Sequence, residues 1–154
     1  MAIIKASVAA AIIVATAAQS AVPVRRLTFA YEGDQMRLVS EQRVNMILPP
    51  SQPPDELERQ AGFSVMLRDE HGQPVYARAM PSPFQFDREV FDRDPTRSIR
   101  REPNPHPRGT FVVLVPALKN ALRLEFFGHP LRPKAHLEPT RRLASFPLQP
   151  LTQR

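Results

Sequence analysis

The sequence predicts an all-β fold, an immunoglobulin-like antiparallel β-sandwich with a long Pro/Arg-rich connection and tail. Three observations predict it. Two runs of β character, Phe63-Ser-Val-Met-Leu-Arg68 and Pro74-Val-Tyr-Ala-Arg-Ala-Met80, flank a polar turn holding Gly72, the sequence form of a β-hairpin. Prolines number 18 and fall mainly between the apolar runs; inside a helix each would cost about 3 kcal/mol, so rigid connections between strands fit better. Finally, six or seven short strands separated by turns, with little helical periodicity, suit two packed sheets. A small barrel is the alternative closure, and strand order is open at this stage.

Taken in order, residues 1–20 read as an export leader. Met1 to Lys5 is weakly positive, Ala6 to Ala18 is apolar, and Ala18-Gln19-Ser20 supplies the small residues of a cleavage site. Cleavage is expected after Ser20. An uncleaved anchor or a first strand through Ala11 to Ala17 are the alternatives, though the run is shorter than the roughly 20 residues a span prefers. Residues 21–130 form the expected sandwich domain and 131–154 a Pro/Arg-rich extension. Val24 to Tyr31 reads as a strand with Leu27, Phe29 and Tyr31 on one face, closed by the turn Glu32-Gly33-Asp34. Met36, Leu38, Val44, Met46 and Leu48 then share one parity, against Arg37, Glu41 and Arg43. Ser40 and Gln42 interrupt the apolar side, which predicts a bulge or bend near them.

Pro49 to Pro54 stops that strand, and Asp55 to Arg59 can form one helical turn before Gly62. Beyond the hairpin, Pro81 to Pro107 is a long connection. Its Phe84 and Phe86 are expected on the sheet, and Arg97 to Pro107 as a mobile arm. Phe111 to Val115 is a nearly continuous apolar run of the kind a fully buried strand shows. A turn at Leu118-Lys119-Asn120 leads to Leu122, Leu124 and Phe126, which alternate with Arg123 and Glu125, so a second hairpin is expected. From Leu131 onward, Leu143, Phe146 and Leu148 are the apolar anchors of a last irregular strand or an extended arm.

The formal charge is +6, carried mostly by arginine, and cysteine is absent. Arginine pairs bidentately with phosphate or carboxylate, but here acidic residues are interspersed and no long basic run appears. Nucleic-acid binding therefore ranks last among the functions considered. Lack of cysteine removes disulfides, lipid attachment at a cysteine and thiolate metal sites.

Chemical machinery is not visible. His71, His106, His129 and His136 have no metal-binding spacing. Asp87, Glu89, Asp92 and Asp94 are interleaved with Arg88 and Arg93 and lack the glycine of a calcium loop, so they read as a solvated charged segment. No nucleophile elbow, phosphate loop or dinucleotide fingerprint appears. No catalytic residue, cofactor or metal site is expected. Arg97, Arg100, Arg101 and Arg108, set among Pro103, Pro105 and Pro107, can form a cationic arm for an acidic partner; a loop kept soluble by charge is the simpler reading.

The Phe63-Ser-Val-Met-Leu run, the turn to Gly72, Val75-Tyr-Ala-Arg78 and Arg108-Gly-Thr-Phe-Val-Val-Leu-Val115 resemble the β-sandwich that precedes the catalytic domain in bacterial IgA-specific metallopeptidases. Leu27-Thr-Phe-Ala-Tyr31 is similar to that domain's first strand. The resemblance covers about two-thirds of the chain after the leader, as strand pattern plus a few residues. It implies an exported accessory module without peptidase activity, since the His-Glu-x-x-His zinc motif is missing.

The expectation that follows is a periplasmic or secreted sandwich that works by binding. A protein partner is the first choice, with glycan or envelope polymer as alternatives, and the membrane is met only through the leader. Tyr31, Tyr76, Phe84 and Phe86 are the candidate contact aromatics, each more often core than contact, and Arg97, Arg100 and Arg101 the candidate contact cations. A structural subunit of an envelope assembly and an enzyme with an unrecognised site are the rival classes.

Overall fold

The computed structural model describes residues 21–59, 62–91, 99–129 and 138–151; the leader and Arg97 lie outside them. Strand β1 (Val22–Glu32) is the centre of the first sheet, between β2 (Gln35–Met46) and β7 (Arg108–Pro116). The second sheet runs β4 (Pro74–Met80), β3 (Phe63–Arg68), β8 (Arg123–Gly128), β9 (Arg141–Pro147). All the pairings are antiparallel. The chain is an all-β sandwich.

Alternation builds the core. Leu27, Phe29 and Tyr31 of β1 face Phe63, Val65 and Leu67 of β3, with Leu124 and Phe126 of β8 completing the layer. Phe29 meets Phe126 edge-on at 4.9 Å between ring centroids, and Phe126 stacks on Phe63 at 5.5 Å. Burying each such ring stabilises the fold by about 1.5–3 kcal/mol, and favourable ring geometry adds about 0.5–1.5. Helix α1 (Pro54–Arg59) forms on the expected segment and covers the other face of the second sheet. Its Leu57 is buried with Met66 and Ala77.

The expected hairpin over 63–80 is present. Asp69 Oδ1 accepts from the amides of His71 and Gln73, and Gly72 takes a φ of 76°, which only glycine adopts without strain. Four other expectations change.

The bulge expected near Ser40 is present and falls at Val39, where Thr28 pairs with Ser40 and Phe29 with Leu38, but the single parity expected along β2 does not hold. One extra residue reverses the faces. Val44 and Met46 therefore oppose Val24 and Val22 on the outer face instead of sharing a face with Met36 and Leu38.

The second hairpin is an arch between sheets. The Ala117 amide donates to Pro23 O and ties the end of β7 to β1, while the Leu122 amide donates to Arg68 O and ties the next strand to β3. Hence β7 is an edge strand, buried on one face only.

Within the long connection, β5 (Asp87–Phe91) and β6 (Ile99–Pro103) pair as a separate antiparallel ribbon, where an arm without structure was expected from 97 to 107. The tail returns as β9, whose Phe146 packs on Phe29 at 4.9 Å, and Leu148 joins the core. Residues 141–148 thus belong to the sandwich that the sequence appeared to end at 130.

Candidate functional site

A sheet edge offers a row of unpaired N–H and C=O groups, and folded proteins cover or blunt such rows. Three of the four edges of the two sandwich sheets are managed. β4 is covered by the Ser51–Gln52 segment: Gln52 N donates to Ala77 O at 2.8 Å, Ala77 N to Ser51 Oγ at 3.0 Å, and Ala79 N to Gln52 Oε1 at 2.6 Å. β2 carries the Val39 bulge and the charges Arg37, Glu41 and Arg43. β9 is short and begins with Arg141 and Arg142.

The fourth edge is different. β7 holds five consecutive apolar residues, Phe111 to Val115, and pairs with β1 on one side. Along Arg108 to Val115, no backbone hydrogen bond to another described residue is made on the other side. Val113 and Val115 point into the core, while Val112 is 40% exposed on the outer face and Leu114 is half-buried beside it. Periodicity could not find this site, because an apolar run on an edge reads the same as one at the centre of a sheet.

The β5–β6 ribbon is mostly solvated, and its Phe91, opposite Ile99, is 86% exposed. Arg100 pairs with Glu102 at 2.6 Å and Arg101 with Glu89 at 3.5 Å, so these two cations are partnered within the ribbon. Such exposed pairs contribute little to stability, about 0–1 kcal/mol each.

The candidate aromatics gather on the inner side. Tyr31, Tyr76 and Phe84 are buried in the core, and Phe86 is packed against it. Tyr31 and Phe84 meet edge-on at 5.0 Å, and the Tyr31 hydroxyl accepts from the Gln85 amide. Tyr76 donates to Pro49 O at 3.2 Å; burial pushes its phenol up from the ordinary value, against the opposing pull of Arg78. Tyr31, Tyr76 and Phe84 carry packing, and Phe86 is half-buried at the margin of the core.

One polar cluster was missed by sequence reasoning. Glu125, only 3% exposed, lies on the outer face of β8 between Arg68 Nε at 2.5 Å and Arg142 Nη1 at 3.1 Å. Burial raises its carboxyl, but the hydrogen bonds and charges of Arg68 and then Arg142 outweigh that and hold it below the usual carboxylate range. Register explains the grouping: Arg68 opposes Arg123, Glu125 opposes Ser145, and Arg142 opposes Phe127. Only the β3–β8–β9 order brings the three together.

Among the described residues no three His, Asp or Glu side chains are grouped to hold a metal. His71 is exposed beside Glu70, and His129 Nδ1 lies 2.6 Å from Glu138 O. No helix among the described residues is long and apolar enough to cross a membrane. Comparison with family models, curated proteins and solved structures finds no match.

Proposed function

We propose that this chain is an exported, non-catalytic β-sandwich of the bacterial envelope that binds a protein partner by strand addition at β7. The observation that carries this reading is the open apolar edge from Phe111 to Val115, set against three edges that are covered, bulged or charged. An extended partner segment would satisfy the backbone groups that no described residue pairs and lay alternate side chains beside Val112 and Leu114. The apolar Ala6–Ala18 run supports export, and the strand pattern shared with the metallopeptidase accessory domain supports an accessory role.

The test is photo-crosslinking from position 112 in envelope extract, with position 37 on β2 as the control. A discrete protein captured from 112, absent from 37 and lost on Thr110→Pro, is the expected result. Equal capture from both positions would contradict the reading. A stable dimer of the purified chain crosslinked through 112 would transfer the edge to a structural-subunit role.

A further inference from the structure

We propose that Arg25 and Arg43 form a receptor for one carboxylate carried on an apolar body, at the cleft between β2 and the segment that follows β9. This site lies on the margin of the first sheet opposite β7, and it stands or falls independently of partner binding there.

Arg25 shares the inward parity of Leu27, Phe29 and Tyr31, and it is 1% exposed. Its Nη1 is used twice, donating to Glu41 Oε1 at 2.6 Å and to Gln149 O at 2.9 Å. Its Nε and Nη2 are buried and have no hydrogen-bond partner among the described residues. Those two atoms form the side-on fork of a guanidinium, whose parallel N–H bonds match the two oxygens of a carboxylate. Leaving such a fork buried and open is costly, so the fold holds a binding capacity that no described side chain uses.

A second observation points the same way. Arg43 lies directly opposite Arg25 in the β1–β2 register and makes no ion pair with a described residue. Like charges directly opposed across two strands are destabilising. Among the described residues Glu41 is the one carboxylate paired with them, so there two guanidiniums meet one acid and one positive charge is left over. A carboxylate balances that charge; a doubly charged phosphate exceeds it.

The cleft supplies the rest of the ligand's chemistry. It has a volume of about 800 Å³ and a mixed lining, with Leu38, Pro147 and Leu151 beside the polar Ser40, Glu41 and Arg43. Glu41 and Gln149, the two groups that hold Arg25 Nη1, are both lining residues, while Arg25 itself does not line the cleft. The fork itself is closed to solvent, so entry requires the segment around Gln149 to shift.

Titration of the full chain with octanoate, acetate and inorganic phosphate, followed by isothermal calorimetry and thermal melting, tests the proposal. Octanoate is expected to bind and raise the Tm, acetate to bind more weakly, and phosphate to bind least. Arg25→Met should weaken octanoate at least about 100-fold, the loss of two charge-assisted hydrogen bonds. Arg43→Gln should weaken it about 2- to 5-fold, as for a partly exposed charge. Glu41→Gln should tighten it, because a competing acid is removed. If Arg25→Met does not fold, the opposite signs at positions 43 and 41 still decide the matter. Absence of octanoate binding, equal binding by a folded Arg25→Met protein, or phosphate binding as strong as octanoate would overturn the proposal. Val112→Lys should leave octanoate affinity unchanged, which separates this site from β7.

Discussion

Glu125 shows how much one buried acid can do when two guanidiniums converge on it. Its carboxyl titrates below the unfolded value of about 4.3, so its contribution is fully present above that pH and is lost as pH falls through the folded value. Glu125→Gln should cost about 1–3 kcal/mol in urea unfolding at pH 7, whereas Arg142→Gln, at a solvated partner, should cost under about 1. At pH 3 the gap between wild type and Glu125→Gln should narrow; an unchanged gap would mean that the charge is not the source. Gly109 makes a different demand: a Cβ there would lie 2.9 Å from the Tyr31 hydroxyl. Gly109→Ala should therefore destabilise by about 1–3 kcal/mol through overpacking against a buried ring, read as a lower urea midpoint with the same slope. Neither role was legible in the sequence. Glu125 looked like an outward polar residue of an alternating strand, and both Arg25 and Gly109 owe their surroundings to strands distant in the chain.

Elements were more legible than their partners. The 63–80 hairpin could be read because its turn chemistry, Asp69 with Gly72, is local. The short helix after Pro54 could be read for the same reason. The arch from β7 to β8 could not, because what diverts it are hydrogen bonds to Pro23 and Arg68, far away in sequence. Parity in β2 failed at one residue, Val39, and the whole lower half of the strand changed face with it. β9 was half-hidden for want of a period, yet it covers one side of β8 and brings Phe146 to Phe29. Ending the chain at Thr140 should expose the β8 edge and remove Leu148 from the core. We expect loss of cooperative unfolding and aggregation of that truncated protein, checked by circular dichroism melting and light scattering. In contrast, Arg100→Glu with Arg101→Glu should change the unfolding free energy in urea by no more than about 1 kcal/mol, since those pairs are solvated.

At the scale of the whole molecule, apolar packing between two sheets holds a cysteine-free chain together, and charge is arranged around that core. Fold class was readable because alternation, turns and proline all agree on it. The proposed contact edge was not, because edge and centre strands differ in their neighbours and not in their composition. The functional account rests on β7 being an open edge. Amide hydrogen exchange followed by NMR on the isolated protein measures that most directly. Along residues 109–115 the account predicts alternation, with amides directed at β1 protected and those directed outward exchanging fast. Uniform protection of every amide in that run would mean the edge is already paired, and would contradict it.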